Sequence, residues 1–252
     1  MSLQRPLVAT VLAVGLTLTA VACGGDSKPE SASTPSATPT PTPTATSSTP
    51  SVVPTTPAAP APRTKAALTK ALLALEDLPA GFAVEPDTGG DDGGELSSTN
   101  SNCKKLLQLF NADVSPGAKV TVERGFSGGQ NGPFVGERLE AMPSAKATTA
   151  LLAATRAAVK SCTKAKLTID GVGTSAVSIT EVAAPKAGTS PIAVRVAAQS
   201  GALEGLEVTF VFAGLDDVLL SMNFDDSSDI EEPTLAAAEK ATKILGTAKT
   251  GT

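Results

Sequence analysis

The chain has 252 residues and a formal net charge of −5, and it contains no His, no Trp and no Tyr. Without imidazole there is no Ser-His-Asp or Cys-His catalysis and no His-ligated zinc, and without Trp or Tyr the usual stacking platforms for sugars and bases are gone. No basic stripe is present, so nucleic acid is not an expected partner; the core has to be built mainly from Leu, Val, Ile and Ala, with seven Phe.

In chain order, the first segment is MSLQRPLVATVLAVGLTLTAVAC. One positive charge, Arg5, precedes an uncharged apolar run from Leu7 to Ala22, the n-region and h-region of a secretory signal. The run ends in Ala20, Val21, Ala22 and Cys23. These residues resemble the lipobox of bacterial lipoproteins, with Ala20 where Leu is usual. The resemblance implies a signal peptide over residues 1–22, cleavage before Cys23, and a diacylglyceryl thioether with palmitate-type chains on Cys23. The alternative is an ordinary signal with A-x-A cleavage that leaves a free thiol. Two acyl chains at one residue hold a protein stably to a bilayer, whereas one holds it only marginally.

Residues 23–63 read as a linker. Within them, SASTPSATPTPTPTATSSTPSVVPTTPAAPAP (31–62) carries no charge and almost no large apolar side chain. Such a segment cannot bury enough surface to offset its conformational entropy. Its Thr-Pro and Ala-Pro steps favour polyproline II, reaching on the order of 100 Å at about 3.1 Å per residue. The expected picture is a globular domain, 64–249, held on a stalk at the outer face of the cell membrane.

Within that domain the first element is a helix opening at a Thr64 cap, with Leu68, Leu72 and Leu75 at helical spacing and Leu73 beside them, stopped by Pro79 and Gly81. A Gly-rich acidic loop follows (83–100). A short second helix over 102–112 carries Leu106, Leu107 and Phe110. Alternation of Val120, Val122 and Phe126 predicts a strand, SGGQNGP a turn, and FVGERLEAM the return strand. A third helix starts at a Ser144 cap and presents Leu152, Thr155, Val159 and Cys162.

Five further strands are expected, at 165–173, 175–182, 191–199, 204–214 and 216–224. The last two set Leu206, Val208, Phe210 and Phe212, then Val218, Leu220, Met222 and Phe224, on one side each. A last helix runs over 233–246 with Leu235, Ala238, Thr242 and Leu245 along one side and Gly246 at its end. The order ααββαβββββα with short turns predicts a single α+β domain: an antiparallel sheet of five to seven strands, one face covered by four helices and the other wet.

Cys103 and Cys162 remain. An even pair in an exported chain predicts a disulfide. The rivals are two buried free thiols and a redox pair, though a redox motif would have C-x-x-C spacing. Two acidic clusters could attract a cation: Asp87, Asp91, Asp92 and Glu95, and Asp225, Asp226, Asp229, Glu231 and Glu232. The first lacks EF-hand spacing. The second precedes a helix, where negative charge is stabilising in any case. No metal, no cofactor and no catalytic residue is therefore expected, and the chain is not expected to be an enzyme.

The segments ALLALEDLPAGF (71–82) and LEAMPSAKATTALLAATRAAVKSC (139–162), behind a lipobox and a Pro/Thr stalk, resemble exported actinobacterial lipoproteins. They are similar in particular to the extracellular sensor domain of the PknH-type kinases. The resemblance implies a sheet packed by helices with a cleft for an unidentified ligand. The functional expectation is a non-catalytic binding or sensing module, taking a small molecule, a lipid or a cell-wall fragment, or alternatively an apolar-ligand carrier of the cell envelope. No binding residue is marked. Arg124, Arg138 and Arg195 fall within or beside apolar strand faces and are the positions to follow, against the plainer reading of exposed or paired arginines.

Overall fold

The structure is a computed structural model and describes residues 63–86, 94–130, 132–225 and 229–247, all within the unit Thr56–Thr252. The signal, Cys23 and the stalk lie outside the described residues, as do Asp87, Asp91, Asp92 and Asp226.

Four α-helices are present: α1 (Lys65–Ala71), α2 (Lys104–Phe110), α3 (Ala145–Ser161) and α4 (Glu231–Leu245). Among the described residues nine strands form one sheet: β1 (Ala83–Val84), β2 (Glu95–Ser97), β3 (Val120–Ser127), β4 (Phe134–Ala141), β5 (Lys164–Ile169), β6 (Gly173–Val182), β7 (Thr189–Gly201), β8 (Glu207–Leu215) and β9 (Val218–Asp225). Their order across the sheet is β1-β3-β4-β9-β8-β7-β6-β5-β2, and every neighbouring pair is antiparallel. The expected five to seven strands are thus corrected to nine, within an α+β fold. The two extra strands are the edges β1 and β2, two and three residues long, in a stretch whose Gly and Asp read as loop. A strand that short has no periodicity to detect; its partner strand creates it.

A second correction concerns the layers. The helices do not share one face. Leu68, Ala71 and Leu73 near α1 and Ala237, Ala241 and Leu245 of α4 pack with Val122, Phe126, Leu139, Val211 and Leu220. Leu106 of α2 and Leu152 and Val159 of α3 pack with Val177, Ile179, Ile192, Val194 and Leu219. Leu219 and Leu220 are consecutive in β9 and point to opposite faces, so the two cores lie on opposite sides of the sheet. Each helix pair covers about half the sheet, α1/α4 over the β3-β4-β9-β8 end and α2/α3 over the β6-β7-β8 part. Each face therefore keeps an uncovered half.

Local sequence explains where the helices begin. The Thr64 hydroxyl accepts from the Ala67 N–H at 3.2 Å, and the Ser144 hydroxyl from the Ala147 N–H at 3.2 Å. Gly246 ends α4 in the left-handed conformation at φ 64°. At the entry to the domain, the Arg63 guanidinium bonds Asp217 Oδ1 at 2.8 Å and the Leu245 carbonyl at 2.6 Å. The long first helix expected from Leu68, Leu72 and Leu75 stops at Ala71, before Pro79 is reached. A short 3-10 turn, Leu75–Asp77, follows, and Leu75 is exposed rather than in the core. The buried stripe of α4 is Thr234, Ala237, Ala238, Ala241 and Leu245; Leu235, expected inside, is exposed. Alanines fill this stripe because α4 lies against α1 as well as the sheet.

Candidate functional site

Cys103 and Cys162 are joined by a disulfide with 4.7 Å between their Cα atoms, tying the start of α2 to the end of α3. Both residues are fully buried. The bond is a brace of the α2/α3 layer, remote from solvent.

The three arginines singled out from the sequence fall in three different places. Arg124 is on the α1/α4 face, directly across from Glu137 in the β3–β4 register. The two do not pair with each other. Glu137 Oε2 accepts from the Leu73 N–H at 2.6 Å, and the Arg124 guanidinium donates to the Leu73 carbonyl at 2.5 Å. A cross-strand pair thereby holds both polar groups of one residue, and this grip ends α1 early. Glu137 is 2% exposed, and its Oε1 has no hydrogen-bond partner among the described residues. Burial pushes its carboxyl up to about 7, against the opposing pull of the Leu73 N–H and the cations Arg124 and Lys240. Lys240 of α4 pairs closely with Asp77, whose Oδ2 also accepts from the Ala74 N–H. Burial alone would raise Asp77; the Lys240 ammonium and the Ala74 N–H outweigh it and hold the carboxyl below its ordinary value. No sequence pattern marked Glu137: it sits in β4 between Val135 and Leu139 at a core-facing position, which is itself the signal that could have found it.

Arg138 points to the other face, where its guanidinium meets Glu123 at 3.0 Å. Arg195 lies on the uncovered half of the α1/α4 face and pairs with Glu207 at 2.9 Å. Both pairs are partly exposed, and such pairs contribute little to stability.

Arg138 belongs to a shelf that α2 and α3 leave open. The register aligns Phe212, Ser221, Arg138 and Glu123 in one row across β8, β9, β4 and β3, and Phe210, Asn223, Gly136 and Gly125 in the next. At one side stands an aromatic wall. Phe110 of α2 meets Phe210 and Phe212 edge-on, at centroid distances of 5.4 and 5.9 Å, and Phe210 stacks on Phe212 at 6.4 Å. The floor is low because two glycines face each other across β3 and β4. A Cβ at Gly136 would stand 2.0 Å from Asn223 Oδ1, so the Asn223 side chain lies flat over it. Glu85 lies similarly over Gly125. At the root of the shelf a cavity of about 30 Å³ is lined by Leu109, Phe110, Leu152, Phe212 and Leu219. Glu140 closes that end, fully buried, accepting from the Ser115 N–H at 2.8 Å and from the Ser115 and Thr121 hydroxyls. A second, more open groove of about 290 Å³ runs past Val159, Lys160, Lys164, Ile179 and Glu181.

Chemically, the shelf offers apolar ring faces beside convergent carboxylate, guanidinium, amide and hydroxyl groups. That is the equipment of recognition. No activated nucleophile accompanies it, and no group of three His, Cys, Asp or Glu that could hold a metal occurs among the described residues. Asp229 and Glu231 of the second acidic cluster sit at the start of α4, where Asp229 Oδ1 accepts from the Glu231 N–H at 2.9 Å. That is a helix-terminus role.

No protein-family model matches the chain, and no curated protein matches it. Among solved structures it is similar to the crystal structure of the extracellular domain of PknH from Mycobacterium tuberculosis, with 15% identity and a TM-score of 0.52 over 74% of this chain and 98% of that chain. At this identity the likeness is one of fold: the nine-stranded sheet with its helices is a PknH-like extracellular-domain fold.

Proposed function

We propose that the protein is a cell-surface lipoprotein whose folded domain, 64–249, is a non-catalytic binding or sensing module. Residues 1–22 direct export, Cys23 carries the lipid, and the rest of 23–63 serves as the stalk. The domain meets its ligand on the shelf formed by β3, β4, β9 and β8. The observation that carries this reading is the uncovered row of polar groups beside the Phe110, Phe210 and Phe212 wall. The fold it shares with an extracellular domain supports an exported setting. Among the described residues no helix is long and apolar enough to cross a membrane; on this reading the attachment is the lipid on Cys23. A carrier of acyl chains would need several hundred Å³ of enclosed dry volume; the cavity at the root of the shelf holds about 30 Å³, and the groove of about 290 Å³ past Val159 and Ile179 is open to solvent and edged by Lys160, Lys164 and Glu181. Recognition on an open surface is therefore the favoured reading over carriage.

Titration of the isotope-labelled protein with soluble cell-wall fragments, followed by NMR, tests the placement. The expected shifts fall on Ser221, Asn223, Phe210 and Phe212. Shifts clustered on β5 and β6, or lipid retained in native mass spectrometry after delipidation, would replace the shelf reading with another.

A further inference from the structure

The grip on Leu73 holds the only buried carboxylate among the described residues with an oxygen left unpaired. Four charged groups meet there from four elements: Glu137 on β4, Arg124 on β3, Lys240 on α4 and Asp77 in the 3-10 turn after α1. Lys240 is already engaged by Asp77, and Arg124 by the Leu73 carbonyl. Met222, the β9 residue beside Glu137, is apolar. A neutral Glu137 is the cheaper state here: one oxygen accepts from Leu73, and the other carries the proton as an uncharged hydroxyl, which costs less to bury unpaired than a charge does. An ionised Glu137 does not fit, because a bare carboxylate oxygen would be left in an apolar core. The nearest remedy is its own cross-strand neighbour. Arg124 donates to the Leu73 carbonyl through Nη1, and drawing its guanidinium onto the carboxylate would pull on that bond.

We propose that Glu137 and Arg124 form a proton-operated latch on the corner between α1 and the Leu75–Asp77 turn: shut while the Glu137 carboxyl is neutral, and loosened when the proton passes to solvent and Arg124 turns from Leu73 to the carboxylate. The raised affinity of this carboxyl for its proton sets the working range near neutrality. The corner that moves is small. It comprises Leu73, Ala74 and the turn, closed internally by the Asp77 N–H to the Ala74 carbonyl at 3.0 Å and the Leu78 N–H to the Leu75 carbonyl at 3.2 Å. Leu73 is fully buried, so its release exposes apolar surface that the shut state hides. An exported domain would thereby carry a surface that reports the acidity of its surroundings.

Hydrogen exchange on the purified full chain, normalised to intrinsic rates and measured from pH 5.5 to pH 8.5, tests the latch. A single proton couples with a slope of at most one decade per pH unit. Protection at residues 73–78 should therefore fall by up to tenfold per unit as the pH rises from 5.5 to about 7 and level off above it, and at every pH it should lie below that of β8 residues 211–215, which open only with the whole domain. In Glu137→Gln, which keeps the acceptor for Leu73 but cannot ionise, the corner should be flat with pH. Constant protection in the parent chain, corner protection equal to that of β8 at every pH, or a parent-like slope in Glu137→Gln would each overturn the proposal. Should the variant fail to fold, the parent chain's contrast between the corner and β8 decides alone.

Discussion

At Glu137 the sign of the pH effect can be worked out. The folded carboxyl binds its proton more tightly than the unfolded one, about 7 against an ordinary value of 4.5. Below the unfolded value both states are protonated and there is no penalty. Between the two values only the folded state keeps the proton, so stability falls as pH rises; above about 7 the penalty is complete and constant. Glu137→Gln removes this slope. Urea denaturation should show the variant gaining on the parent chain from pH 4.5 to pH 8, by on the order of 3 kcal/mol. Asp77 runs the opposite way: its carboxyl is held low, so the stability it lends is present above the ordinary aspartate range and is lost on acidification. Both residues were visible in the sequence as ordinary acids. Nothing in β4's own pattern says whether Glu137 at a core-facing position is buried, because that depends on Leu73 arriving from a segment 64 positions away.

Helices and strands were legible where they are long. The caps at Thr64 and Ser144, the α3 face of Leu152, Thr155 and Val159, and the alternation of β9 through Val218, Leu220, Met222 and Phe224 all follow from local spacing. The misses share a cause. α1 stops early, β1 and β2 exist, and α4 turns its Leu235 outward because of contacts made by other elements. The α1–α4 contact makes its own prediction. Ala237 and Ala241 are fully buried, so Ala241→Leu should destabilise the domain by about 1–3 kcal/mol through overpacking, read as a lower midpoint in urea with unchanged slope. The disulfide makes another. It closes a loop with a sequence separation of 59. Replacing both cysteines by Ala should cost about 4 kcal/mol in the chain-entropy model, with the loss confined to stability.

For the whole molecule, the placement of helices on both faces matters most. Period-two alternation in β7 and β8 reports that each strand has a buried side but not which face of the sheet is covered. The buried side changes along the sheet: Val122 and Phe126 of β3 face α1 and α4, whereas Val177 and Ile179 of β6 face α3. Two half-faces are left open in consequence, and the shelf is one of them. Phe110→Ala should weaken any ligand held there while leaving the sheet folded, since Phe110 is only partly buried; binding and thermal unfolding measured on the same sample separate the two effects. At the cell, Cys23→Ala should move the protein from the membrane fraction to the medium, checked by palmitate labelling and fractionation.

The sequence by itself determined the types of the longer elements, the composition of the core, the caps and the exclusion of histidine chemistry, because each depends on residues a few positions apart or on residue types that are simply missing. Only the tertiary structure decided which face each strand buries, that the edges of the sheet are β1 and β2, and that Glu137 and Arg124 close on Leu73. Those features come from pairings across tens to more than a hundred residues, such as β4 with β9, and burial is a property of what arrives from elsewhere in the chain.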